Sequence, residues 1–224
     1  EGNLVLFNEY VCYRLAILMD IPMPYCGICV MDDNTEVFDS NIASSDNYGY
    51  AFYSTFMPKT TKLLASIISL MKNKEVFIKV LLFDHIIFNR DRNEGNLLVQ
   101  FYKEDVSLKV IDHTHVFING AIWDSNCLKT AMKENDLLSK EVLEYNERLY
   151  GMFYRNISIT KEILEQVSKE FKNKISCDII KKIIEECPQE WRPTKESESM
   201  LVEYLMYRIN HFDVIISTIV NYIK

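Results

Sequence analysis

Residues 75–89, EVFIKVLLFDHIIFN, are apolar on nearly every side when wound as a helix. A helix of that kind is stable only where protein surrounds it, so it must run through the core. The chain then turns polar at once in FNRDRNEGNLL, which carries four charges at Arg90, Asp91, Arg92 and Glu94. Two further apolar runs follow, LLVQF and LKVIDHTH. A fold with this order holds a short charged loop rigidly between a buried helix and a β-type pair. Loops held in that way are where binding and catalytic groups concentrate.

The length suits one domain of two lobes or two small domains. The 224 residues are 48% apolar and 25% charged, enough for a sizeable core. The formal net charge of −7 argues against a dedicated nucleic-acid binder, which would show a basic face, so no nucleic-acid partner is expected. No run of 18 apolar residues occurs, and no membrane partner is expected. The six cysteines, scattered and without a secretory signal, read as reduced thiols of a cytoplasmic protein. Cys26-Gly27-Ile28-Cys29 is a lone CxxC with no second pair for a zinc site.

Residues 6–20 have helical spacing at Phe7, Val11, Leu15 and Leu18, and Pro22 and Pro24 end that helix. YCGICVMD reads as a short buried strand, 32–50 as a polar loop and AFYSTFM as another strand. TTKLLASIISLMKN is expected to be helical. LLVQFYKEDVSLKVI predicts a hairpin turning around Lys103-Glu104-Asp105. Beyond about residue 125 the pattern is helical. Thr160 can cap a helix with Ile163, Leu164, Val167 and Phe171 on one face, and Ile179, Ile180, Ile183 and Ile184 form the next stripe. Leu201, Leu205, Ile209 and Phe212 predict one long final helix. The fold class is α+β: a small mixed N-terminal part, then a mainly helical part with one inserted hairpin.

Asp91 and Asn96 are five positions apart, and Asp112 follows the hairpin. Protein kinases use the spacing D-x-x-x-x-N for a base that accepts the substrate hydroxyl proton and an amide that binds magnesium, with a second ligand aspartate after a hairpin. Magnesium takes hard oxygen ligands, one or two from the protein and the rest from phosphate and water, which Asn96 and Asp112 can supply. Asp84 and Arg92 are also readable as a structural ion pair alone. His113-Thr114-His115, if in a strand, would put two imidazoles on one face, although no third ligand is evident.

FDHIIFNRDRNEGNLL with VIDHTHVF resembles the HipA-like kinase family, in its branch of small bacterial proteins, and is similar to the D-R-H-x-x-N and I-D-F motifs of phosphatidylinositol 3- and 4-kinases. LFNEYVCYRLAILMDIPMP and CPQEWRP followed by L-x-x-R (Leu205 and Arg208) extend the resemblance over nearly the whole chain. It implies a protein-kinase-like fold, with 1–57 as the remainder of a small N-terminal lobe and the lobe connection and 58–224 as a helical C-terminal lobe carrying the catalytic loop and the metal-binding hairpin, and transfer of the γ-phosphate of ATP, with Mg2+, to a Ser or Thr of a protein substrate. On that resemblance Asp91 is the base, Asn96 and Asp112 hold the metal, and Asp84 braces the loop through Arg92 or backbone amides. Glu9 would pair with a nucleotide-binding lysine, and Phe52, Tyr53, Ser54 and Phe56 would lie near the adenine.

Two departures stand out. Asn93 occupies a position where both related groups usually have His. No GxGxxG or GxxxxGK occurs, and Lys59, Lys62 and Lys79 all follow Glu9, so an N-terminal segment with the phosphate loop and lysine is expected to be missing and the N-terminal lobe incomplete. Two other readings therefore stand beside the protein kinase: a non-catalytic pseudokinase-type binding module, and a lipid or small-molecule kinase.

Overall fold

The computed structural model describes residues 3–39 and 47–223, so much of the polar loop expected over 32–50 lies outside the described residues. Helix α1 (Val5–Leu18) leads into an antiparallel ribbon of β1 (Cys26–Met31) and β2 (Gly49–Ser54). A second sheet has the order β3-β4-β5, from Thr60–Lys62, Leu97–Tyr102 and Asp105–Val110. Between β3 and β4 runs α2 (Phe77–Ile86). After the hairpin come α3 (Ser125–Lys133), α4 (Glu141–Tyr145), α5 (Glu147–Tyr154), α6 (Lys161–Lys174), α7 (Cys177–Glu185), α8 (Lys195–Asn210) and α9 (Phe212–Ile223).

The apolar helix is central, as its composition demands. Nine of the ten residues of α2 are buried, including the polar Asp84 and His85. The core forms one continuous cluster from Phe7 on α1 through Phe77 and Phe83 to Ile219 on α9. Phe77 stacks on Phe153 of α5 with ring centroids 3.9 Å apart. Thr160 caps α6 by accepting from the Ile163 N–H, and Leu164, Val167 and Phe171 line its buried face. The hairpin turns at Lys103, whose φ of 55° is left-handed.

Three sequence expectations are corrected. Residues 60–73 are not a helix: the β-branched Thr60 and Thr61 extend and take ladder bonds along β4, pairing with Gln100 and Val99. Ala65–Leu70 then forms a short 3₁₀ turn that buries only Ile68. The strand over 26–31 is only partly buried, with Cys26 inside and Val30 59% exposed, because a two-stranded ribbon covers one face at most. The single final helix is two. His211 leaves helical geometry at φ −107° and ψ 36°, and Phe212 swings onto Phe171, with centroids 6.3 Å apart. Asn210 just before it is a residue that tolerates a helix end.

Among the described residues no helix is long and apolar enough to cross a membrane. Cys26 and Cys29 sit on opposite faces of β1, as a three-residue step along a strand requires, and both are free thiols.

Burial holds the His85 imidazole neutral, its pKa lowered to about 3 by desolvation and by the Arg208 charge. A histidine depressed in this way stabilises the fold above its unfolded pKa near 6.5, and that stability drains as the pH falls toward 3. Urea unfolding at pH 5 should show about 2 kcal/mol less stability from this group than at neutral pH. A His85→Gln variant should lose that part of the pH dependence, and an unchanged profile would refute the assignment.

Candidate active site

The loop begins with an unusual helix end. Phe88, directly after α2, is left-handed at φ 49°. The Asn89 N–H bonds back to the Asp84 carbonyl at 2.8 Å and the Phe88 N–H to that of His85 at 3.4 Å, the paired closure of a Schellman motif with Phe where glycine is usual. The Phe88 ring compensates by packing under two guanidinium groups, Arg90 and Arg208, at 5.5 and 5.1 Å.

A buried polar network then fixes the loop. Arg92 and Asp84 form an ion pair with both side chains fully buried, Nη2 lying 2.9 Å from Oδ1 and Nε 3.1 Å from Oδ2. Asp84 also accepts from the Asn89 amide at 3.0 Å and the Tyr150 hydroxyl at 2.9 Å. Asn146 accepts from the Arg92 N–H and donates to the Asn89 carbonyl, at 2.9 and 2.8 Å. The remaining nitrogen of Arg92, Nη1, reaches the Ile111 carbonyl at 2.8 Å and the Asp112 carbonyl at 3.4 Å. One side chain therefore ties the loop to the far end of the hairpin. Burial alone would lower the Arg92 pKa, but the Asp84 charge and hydrogen bonds raise it, so the guanidinium stays charged.

Three of the expected site residues are brought together. The Asn96 amide nitrogen donates to the Asp91 carbonyl at 2.9 Å, which leaves its Oδ1 without a protein donor among the described residues. The Ile111 N–H bonds to the Asn96 carbonyl at 3.0 Å, so Asp112 follows directly beside Asn96 across the base of the hairpin. Asp112 is left-handed at φ 61°, and its Oδ1 accepts from the Thr114 N–H and hydroxyl at 3.3 and 2.8 Å. This local turn is one that aspartate supports. The uncommitted oxygens, an amide Oδ1 and a carboxylate Oδ2, are hard donors of the kind magnesium takes, so the residues fit that ion.

Asp112 and Glu9 line one cleft of about 580 Å3, together with Phe52, Ser54, Phe56, Met57 and Ile111. Glu9 accepts from the His113 N–H, and burial, with the Asp112 charge adding to it, raises its pKa. Tyr53 does not join this set. Strand alternation turns it to the other face of β2, beside Gly27 and the Tyr25 ring. Asp91 is exposed and faces a neighbouring hollow of about 440 Å3 with Arg90, His115 and Tyr145. Asn93 folds back, accepting from the Gly95 N–H and donating to the Asp91 carbonyl. His113 and His115 do not share a face: His113 is buried edge-on to Phe83, whereas exposed His115 meets the Thr114 hydroxyl at 2.9 Å.

Sequence reasoning missed four supports, Asn8, Asn89, Asn146 and Tyr150. Asn8 holds α1 against the segment after Asp112, donating to the Thr114 and Gly120 carbonyls and accepting from the Trp123 indole N–H at 2.9, 3.1 and 2.9 Å. Its only sequence signal is a polar residue on an otherwise apolar helix face.

Removing one partner of a buried pair leaves the other charged and unpaired. Arg92→Ala should therefore cost about 3–5 kcal/mol in a denaturant titration. A loss below about 1 kcal/mol would mean that Asp84 is solvated or neutralised and that the network does not carry the loop.

Comparison with known proteins bears on the fold and the family. A proinflammatory kinase of Helicobacter pylori, CtkA, superposes with a TM-score of 0.57 at 13% identity, over 97% of this chain and 87% of that one. The HipA protein of Shewanella oneidensis MR-1, solved with HipB and operator DNA, gives a TM-score of 0.43 at 9% identity, over 93% of this chain and 55% of that one. No curated protein matches the chain. The kinase-like fold is thus shared despite very low identity, and the sequence pattern of HipA-like kinases matches residues 2–212. The chain belongs to the HipA-like kinase family.

Proposed function

We propose that the protein is an ATP- and magnesium-dependent kinase that transfers the γ-phosphate to a Ser or Thr of a protein. The observation that carries this reading is the tie between Asp91, Asn96 and Asp112, made through the Asn96 amide and the Arg92 guanidinium. Phosphoryl transfer asks a protein mainly for position and charge neutralisation, and these bonds fix position. Asp91 accepts the proton of the acceptor hydroxyl. Asn96 Oδ1 and the Asp112 carboxylate hold magnesium, which when bound neutralises charge on the phosphates. Phe52, Ser54, Phe56 and Glu9 line one cleft, and in this reading the nucleotide lies there.

One observation favours a second reading, a nucleotide-binding module without transfer. Among the described residues lining the cleft there is no lysine or arginine to meet Glu9 or a phosphate.

Thermal melting with Mg-ATP and transfer of labelled phosphate separate the two. A nucleotide at about a hundred times its Kd should stabilise the chain by roughly 2.7 kcal/mol, and Asp112→Ala should abolish the shift. Asp91→Ala should keep the shift and lower transfer at least about 100-fold. Transfer undiminished by Asp91→Ala would remove Asp91 as the base and with it this reading of the site. A magnesium-dependent shift with no transfer in any preparation would favour the second reading.

A further inference from the structure

The hollow beside Asp91 holds a hydrogen-bonding group that the reaction as described does not use. His115 lines it, together with Asp91, Asn119 and Tyr145. The side chain is exposed and is held at one of its two nitrogens. Nδ1 lies 2.9 Å from the Thr114 hydroxyl oxygen, and no protein group meets Nε2 among the described residues. The segment that carries it is firmly tied. Asn8 donates to the carbonyls of Thr114 and Gly120 at 2.9 and 3.1 Å, and the Phe117 N–H reaches the Ile87 carbonyl at 2.7 Å. The imidazole lies over Gly120, where φ is 61° and a Cβ would stand 3.6 Å from the ring Cδ2.

The direction of the bond at Nδ1 follows from its neighbour. The Thr114 hydroxyl has one hydrogen. It lies 2.8 Å from Asp112 Oδ1, and a carboxylate oxygen has no hydrogen to give, so the hydroxyl donates there. The contact with His115 then runs the other way: Nδ1 carries the hydrogen and donates to the hydroxyl oxygen. In the neutral ring this leaves Nε2 as a lone-pair acceptor, on an exposed side chain in the hollow of the base. Arg90, the cation of that lining, is committed to Glu141 and to the Ile118 carbonyl at 2.9 Å. The Asp91 carboxylate and His115 Nε2 together suit an entering group that brings more than one donor.

We propose that His115 is a substrate-reading residue: its Nε2 accepts a main-chain N–H of the acceptor segment while Asp91 takes the hydroxyl proton of the adjoining Ser or Thr. This rests on the kinase reading above. The donor that every Ser or Thr in a chain carries close to its own hydroxyl is a main-chain N–H, its own or that of the next residue. The contact is therefore independent of flanking sequence. It fixes the angle at which the segment enters, because the imidazole is itself fixed through Thr114. The same two bonds link the acceptor side to Asp112 on the cleft side. An anionic lipid headgroup would instead meet a lone pair at Nε2 and a carboxylate beside it.

Heteronuclear NMR of the histidine-labelled chain at about pH 8, where an ordinary histidine is neutral, tests the bond at Nδ1 without any substrate. His115, assigned by the signals lost in His115→Phe, should carry its hydrogen on Nδ1, and Thr114→Val should shift it toward Nε2. Anisotropy with fluorescein-labelled Ser-centred peptides on the full chain tests the contact itself. Replacing an amide at the serine by an ester removes a single N–H, and at one such position the peptide should bind about tenfold more weakly. His115→Phe should weaken the parent peptide by a similar factor and lose most of the ester's effect, with the melting temperature unchanged because the residue is exposed. An Nε2–H ring in the unaltered chain, a ring indifferent to Thr114→Val, no binding by any peptide, an ester effect that survives His115→Phe, or labelled phosphate entering phosphatidylinositol vesicles rather than peptide would overturn the proposal. Neither measurement needs transfer, so failure of the two readings can be told apart. An ester effect that depends on His115 in a chain that transfers no phosphate would keep the contact and remove the kinase. Transfer that needs Asp91, without that dependence, would do the reverse.

Discussion

The charged loop after α2 and the end of β5 are held together by the buried pair Asp84–Arg92. Moving two charges into the core is expensive, and their attraction repays it only if every remaining donor and acceptor is also met. Here Asp84 accepts from Arg92, Asn89 and Tyr150, while Arg92 spends its last nitrogen on the carbonyls of Ile111 and Asp112. An apolar pair of the same volume would fill the space at least as stably, but it would have no directional bonds to offer. What the charged pair contributes is geometry. It fixes the loop to α2 at one end and to the end of β5 at the other, so Asp91 and Asp112 cannot drift apart independently.

Two of the seven left-handed non-glycine positions among the described residues flank this network. Phe88 and Asp112 are both left-handed without being glycine, at a cost of about 1–3 kcal/mol each. Phe88 turns the chain out of the buried helix in time for the loop to reach the surface. Asp112 bends the chain out of β5 so that its carboxylate enters the cleft rather than continuing the strand alternation. Neither would hold on its own. The Arg90 and Arg208 guanidinium groups keep the Phe88 ring in place, and the Thr114 hydroxyl and N–H close the turn at Asp112.

How much of this was readable depends on the range of the interaction. Local signals held for the all-round apolarity of α2, the hairpin and the cap at Thr160, and the five-residue step lets the Asn96 amide reach the Asp91 carbonyl. Residues 60–73 were misread because their helical apolar spacing is local, whereas the edge of β4 that draws Thr60 and Thr61 into a sheet lies about forty residues on. The helix break at His211 was hidden for a similar reason, since Phe212 is drawn to a ring on α6. Asn146 and Tyr150 were invisible as supports: they reach Arg92 and Asp84 across 54 and 66 residues, and no spacing rule links such pairs. The Schellman turn lacked its glycine, so its sequence mark was absent.

The arrangement also separates two faces of one loop. Asp112 and Glu9 open onto the cleft beside β2, and Asp91 opens onto the hollow that leads to α3. The segment 111–115 forms part of both walls, with Thr114 lining the first and His115 the second, and their side chains hydrogen-bonded to each other. A reaction between two partners gains most when each is held on its own side and they meet at one point, since positioning replaces the entropy of encounter. On the kinase reading that point lies where the Asn96 amide crosses to the Asp91 backbone, between the metal ligands and the base. The buried pair underneath lets a surface loop act as such a partition, because a partition that moved by even an ångström would spoil the alignment of both sides at once.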